Sequence, residues 1–165
     1  MMLRRCLVFA ALLFWHGGAT FYASVVIPVG LHTLQPPGLQ TFVTRTVTLV
    51  LNLTGAVALV LFAWDIRATP DPRFGRRLAR WLACVGMLLT LGVLVWLHTR
   101  LDRLMDVQKL QILDHETLRP LHRLYVAMSG LQWTCGTVYA FLTLCAWLEN
   151  APNPQPEHER LSGRM

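Results

Sequence analysis

Polar and apolar positions in this chain separate into long blocks instead of alternating. Four stretches, Cys6–Ile27, Thr46–Trp64, Trp81–Thr99 and Leu124–Leu148, hold no Asp, Glu, Lys or Arg over 22, 19, 19 and 25 residues. A helix rises about 1.5 Å per residue, so roughly 20 residues cross a hydrocarbon core of about 30 Å. Lipid offers no partner to backbone N–H and C=O groups, which leaves helices or closed barrels. Barrel strands run to about 10 residues and alternate in polarity. These blocks do neither and read as helices.

The pattern predicts an all-α fold, an integral membrane four-helix bundle. Its spans lie at about 7–29, 42–64, 81–99 and 120–148, within one domain covering 1–148. Pro36-Pro37-Gly38 marks the first turn and Pro70-Asp71-Pro72 the second. After span three, Leu97, Leu101, Leu104, Gln108 and Ile112 keep helical spacing. They predict an extramembrane helical extension after the third span, amphipathic and broken at Asp114–Arg119. Pro120 then suits the first turn of span four. The segment 149–165, with Pro152, Pro154 and Pro156, reads as a disordered cytoplasmic tail.

Composition agrees with this division. The chain of 165 residues is 54% hydrophobic and only 15% charged, with a mean hydropathy of +0.43. A soluble domain carries about 25% charged residues. Met1-Met2-Leu3-Arg4-Arg5 before an apolar run also fits a secretory signal peptide. The run outlasts the usual 7–15 residues of such a segment, so the first span is expected to be retained.

A net charge of +6 raises nucleic acid as a partner. The placement of the arginines excludes it, because they flank the spans, where they set orientation and meet lipid headgroups. The expected partner is the lipid bilayer, with a second copy or a membrane-complex partner beside it. Arg4, Arg5, Arg67, Arg73, Arg76, Arg77, Arg80, Arg160 and Arg164 fall on one side. Arg45, Arg100, Arg103, Lys109, Arg119 and Arg123 fall on the other, offset by acids between Asp102 and Glu116. The positive-inside rule then puts both termini of a multi-pass cell-membrane protein, of bacterial inner-membrane type, in the cytoplasm.

Three spans carry polar or small stripes. His16, Thr20 and Ser24 share a face of span one, and Arg45, Thr48, Asn52 and Gly55 one of span two. His122, Tyr125, Ser129, Gln132, Gly136, Tyr139 and Thr143 line span four. These stripes are expected to face one another, with Gly17-Gly18 allowing close approach. Counted from the span ends, His16, Asn52 and Gln132 reach the midplane, where polar groups are functional candidates. The expectation is a hydrogen bond from His16 to Asn52 or Gln132, in a cluster that takes a small polar ligand or passes protons.

A second group, His98, Asp102, His115 and His122, with Glu116 and His32 nearby, collects at the outer face. Imidazole and carboxylate are transition-metal ligands, but no spacing matches a motif such as HExxH, so the metal assignment stays open. No cofactor is predicted. Haem or a transition metal enters only with the alternative reading, a haem- or metal-binding redox module using the buried His16 or outer-face histidines such as His98 with His122. Cys6, Cys84, Cys135 and Cys145 all fall in spans without CxxC spacing and read as packers. GxSxG, P-loop and GxGxxG patterns are absent, and no enzyme is expected. The reading is a membrane component that handles a small solute or metal, or serves as a subunit of a larger complex.

Trp15-His16-Gly17-Gly18, Phe21 and Val26-Ile27-Pro28 resemble the first helix of the transmembrane-protein-205-like family of unknown function. Leu121-His122-Arg123-Leu124-Tyr125 is similar to the entry of its fourth helix, and Asn52 to a position in its second. The resemblance implies a four-helix membrane protein and no established activity.

Overall fold

A computed structural model, described for residues 2–34, 39–106 and 109–149, is a four-helix bundle. All four helices are long and apolar enough to cross a membrane. They are α1 (Met2–Thr33), α2 (Leu39–Ala68), α3 (Phe74–Asp102) and α4 (His115–Glu149). Each packs on the next, and α1 closes the ring against α4. Met2 and Glu149 lie at one end, called here the terminal end.

The helices outlast the uncharged runs. Asp65, Arg67, Arg76 and Arg80 stand inside α2 and α3, not in the connection. α3 passes Thr99 only as far as Asp102 and does not continue as a helix to Ile112. It reverses through a short ribbon, β1 (Met105–Asp106) against β2 (Gln111–Ile112). Asp106 Oδ1 accepts from Lys109 N at 3.1 Å, and Leu110 takes φ 50°. That turn chemistry defeats the helical spacing of the leucines. This end of the bundle is the hairpin end. Asp114 Oδ1 accepts from the N–H groups of Glu116 and Thr117 at 3.0 Å each, an N-cap that starts α4 ahead of Pro120. Pro120 is thus inside the helix. The expected turn at 36–38, Gln108 and the expected tail beyond Glu149 lie outside the described residues.

The main core joins Val8 and Trp15 of α1, Ala58, Phe62 and Ile66 of α2, Met87 and Leu91 of α3, and Tyr139 of α4. A smaller one places Leu94 and Leu97 against Tyr125 towards the hairpin end. Large apolar side chains also cover the outside, among them Val60, Leu89 and Phe141. Water would penalise an apolar surface of this extent, and lipid does not.

α1 departs from α-helical geometry in two π-helical stretches, Leu12–Gly17 and Tyr22–Val26. Its inward residues are Val8, Trp15, Tyr22 and Gly30. Trp15 wedges against two glycines. A Cβ at Gly55 of α2 would sit 2.8 Å from its Nε1, and one at Gly136 of α4 would sit 3.1 Å from its ring. The close approach expected at Gly17-Gly18 occurs here instead. A Cβ at Gly17 would meet nothing, and one at Gly18 only Leu51 at 3.7 Å.

Candidate functional site

The midplane cluster does not assemble. Trp15 takes the inward position, and the next residue on a helix is turned about 100° away, so His16 lies in the seam between α1 and α4. Its ring stacks on Trp133, with centroids 4.8 Å apart, and its Nε2 is 3.3 Å from Thr137 Oγ1. Its Nδ1 faces Gly136 without a hydrogen-bond partner. Asn52 instead donates to Tyr125 Oη across the bundle at 3.2 Å. Gln132 Nε2 reaches Met87 O at 3.5 Å. Tyr125 and Gln132 are seven residues apart on α4, about 10 Å along its axis. Asn52 and Gln132 therefore act at different depths.

The outer ligand set does not converge either. Asp102 is held by Arg45 through Nε at 2.7 Å and Nη2 at 3.0 Å, a two-pronged pair that fixes its carboxylate. His98 Nε2 lies 3.7 Å from the same group. His115, Glu116, His122 and His32 are exposed. Among the described residues no three His, Cys, Asp or Glu side chains are placed to hold a metal.

The stripes of α2 and α4 do face inward. Asn52, Gly55, Tyr125, Gln132, Gly136, Tyr139 and Thr143 are all buried. The stripe of α1 does not, since Thr20 and Ser24 are exposed. Tyr22 takes the inward role and donates to Thr44 at 2.7 Å.

The largest buried polar group is one the sequence reading placed in a loop. At the terminal end Asp65 of α2 is fully buried between Arg80 of α3 and Arg4 of α1. Arg80 Nη2 lies 2.7 Å from Asp65 Oδ2, and Arg4 Nε 3.0 Å from Oδ1. Arg4 also donates to Ala68 O at 2.7 Å and Thr69 Oγ1 at 3.0 Å. Thr69 in turn donates to Asp65 at 3.0 Å. Arg80 Nε reaches Thr143 Oγ1 of α4 at 3.2 Å, and its guanidinium lies over the Tyr139 ring. One carboxylate thereby draws on all four helices. The signal in the sequence was Thr69, one turn after Asp65, together with Tyr139 and Thr143 in the stripe of span four.

Beneath it a second ionic group ties α4 to the connection between α2 and α3. Arg76 donates to Asp71 at 2.7 and 2.8 Å and to Glu149 at 2.9 Å, and Arg73 pairs with Glu149 at 3.0 Å. Asp71 lies outside the spans. The Arg76 hydrogen bonds hold its carboxyl below the usual range. Burial of the Asp65 pair costs desolvation that only close, well-bonded geometry repays. Nearby in the chain, the Arg67 guanidinium lies 5.5 Å from the centre of the Trp81 ring, a pairing of the kind that suits a bilayer interface.

No known protein-family model, curated protein or solved structure matches this chain.

Proposed function

We propose that this protein is a non-enzymatic polytopic protein of the cell membrane, with both termini cytoplasmic, that serves as a subunit of a larger membrane assembly. Its interior polar groups bond helix to helix: Arg45 to Asp102, Asn52 to Tyr125, Asp65 to Arg80 and Arg4. Pairing of this kind favours a fixed body over a solute pathway.

The observation that carries the reading is the outward polar seam between α1 and α4. Thr20, Ser24, Trp133, Thr134 and Thr137 are exposed along it, with His16 at its centre. Gly17 and Gly130 flank it with open space above them. The hydroxyls of the seam already donate within their own helices, and Trp133 Nε1 donates to Thr20 at 2.9 Å. What an outside helix adds here is close approach over the small residues and donors to the hydroxyl oxygens. Closed two-fold assemblies, which use one face twice, are the commonest. The proposed occupant is therefore a second copy of this chain. The resemblance to a family without established activity leaves the reading resting on these side chains.

A photo-crosslinking residue at Ser24 tests it in purified protein returned to lipid vesicles. A dimer-sized product is expected from Ser24 and not from Leu89 on the outer face of α3. Equal yields at both sites, or none at either, overturn the reading.

A further inference from the structure

At the hairpin end a groove of about 310 Å³ opens between the end of α3 and the start of α4, lined by Trp96, Arg100, Arg103, Leu104, Thr117 and Leu121. Three features of these walls bear on what it holds. The first is depth. On α3, Trp81 carries Arg67 over its ring at 5.5 Å and Trp96 carries Arg100 at 5.4 Å. Tryptophan favours the two interfaces of a bilayer, and Trp96 stands six residues before the end of α3 at Asp102, so the groove starts near the interface and continues into the headgroup layer.

The second feature is charge. The carboxylates near the groove already have partners. Asp102 is held by Arg45, Asp106 lies 3.9 Å from Lys109, and the Asp114 side chain caps the first turn of α4. Glu116 is exposed and does not line the groove. Arg100 and Arg103 have no carboxylate partner among the described residues. Both residues line the cleft, whose walls are almost entirely carbon, with their alkyl stems. That leaves two guanidinium heads for its rim, while the Thr117 hydroxyl is bonded to the Asp114 carboxylate.

The third is the remaining wall. Leu104, Leu121 and the Trp96 ring are apolar and run back from the headgroup layer to the edge of the hydrocarbon. A free anion would use the guanidinium groups and leave this surface idle. A molecule with a negative head and a hydrocarbon chain uses both.

We propose that this groove binds an anionic phospholipid of the leaflet at the hairpin end, its phosphate held by Arg100 and Arg103 and its acyl chain laid along Leu121 and Trp96. Arginine suits phosphate through its planar, multiply donating head, and the ring of Trp96 steadies Arg100 in place.

The test returns the full-length protein to vesicles of equal phosphatidylglycerol and phosphatidylcholine, extracts it mildly and weighs the intact complex with its retained lipid. Wild type is expected to keep phosphatidylglycerol over phosphatidylcholine by a factor on the order of ten, as two surface arginines imply. Arg100→Gln with Arg103→Gln should bring the two lipids level, and Thr117→Trp should fill the groove and lower retention with both charges intact. Arg67→Gln, which removes an arginine from a tryptophan ring at the opposite edge, should change nothing. Excess inorganic phosphate should leave the bound lipid in place. Equal retention of the two lipids by wild type overturns the proposal whatever the variants do. Displacement by inorganic phosphate overturns it as well, since the cleft would then read the anion alone. An Arg67→Gln loss equal to that of the double variant would locate the lipid elsewhere.

Discussion

Asp65 and Arg80 meet at 2.7 Å with both side chains completely buried, although they start from opposite sides of the turn between α2 and α3. Arg4 brings a second positive charge to the same carboxylate. Asp65→Asn leaves two buried guanidinium groups without a counter-charge and should cost about 3–5 kcal/mol. Arg4→Ala should cost less, because the Asp65–Arg80 pair survives it. Adding Arg80→Met to Asp65→Asn should recover a large part of the loss, since replacing a whole buried pair is often nearly neutral. Denaturant unfolding in detergent compares the three variants. An Asp65→Asn variant as stable as wild type would show that the pair contributes nothing.

Gly55 and Gly136 clasp Trp15, and that contact sets the separation of α1, α2 and α4. Gly55→Ala puts a methyl 2.8 Å from the indole nitrogen. Overpacking costs about 1–3 kcal/mol, against a gain of at most about 1 kcal/mol in helix propensity. Gly136→Ala should behave alike. Gly17→Ala, into open space, should be neutral or slightly stabilising. Thermal unfolding of the three single variants gives the order, and a Gly17→Ala variant as damaged as Gly55→Ala would contradict this packing.

The four helices were legible because lipid imposes its own dimension on sequence: uncharged runs of about 20 residues have few other uses. The inward stripe of α4 was legible as well, since Tyr125, Gln132, Tyr139 and Thr143 recur at helical spacing. Asp65 and Arg80 were not. A charge at the end of an apolar run looks the same whether it enters water or turns to a partner, and the partners here stand on three other helices. His16 was misplaced for a related reason. Spacing gives the face that His16, Thr20 and Ser24 share, but not that the bulkier Trp15 wins the interior. The ribbon after α3 escaped because leucine spacing cannot register the side-chain bond of Asp106 that turns the chain.

Acid should loosen the terminal end in a defined order. Asp71 has its folded-state pKa lowered, chiefly by hydrogen bonds from Arg76. Its contribution is fully present above the ordinary carboxylate value of about 3.9 and is lost as pH falls through the lower folded value. Between pH 5 and 7 wild type and Asp71→Asn should differ by a constant amount. Below about pH 4 the two should converge. A gap that instead widened with acid would reverse the sign of the linkage.

The proposed orientation rests on the excess of arginine at the terminal end, where Arg67, Arg73, Arg76 and Arg77 join Arg4 and Arg5. A reporter active only in the cytoplasm should respond when fused at Met165 and stay silent when inserted between Gln35 and Gln40. Neutralising Arg73 and Arg77 should weaken that bias, because charges close to the spans weigh most. Arg76 is left out of the pair because it also holds Asp71 and Glu149. The reverse pattern would place the anionic-lipid groove on the cytoplasmic leaflet.

His16 offers the last test, because its two kinds of contact can be separated. Stacking on Trp133 needs only a flat ring, whereas the contact with Thr137 needs a ring nitrogen. His16→Phe keeps the first and removes the second. Interhelical hydrogen bonds in membranes average about 0.6 kcal/mol, so this variant should unfold only slightly earlier than wild type, and Thr137→Val should match it. His16→Ala removes both contacts and empties the seam beside Gly136, so it should cost more. Because Asn52 and Gln132 bond elsewhere, Asn52→Ala should add to His16→Phe without coupling. A coupling of 1 kcal/mol or more between them would mean that the two side chains share a site after all, as their spacing along the chain first suggested.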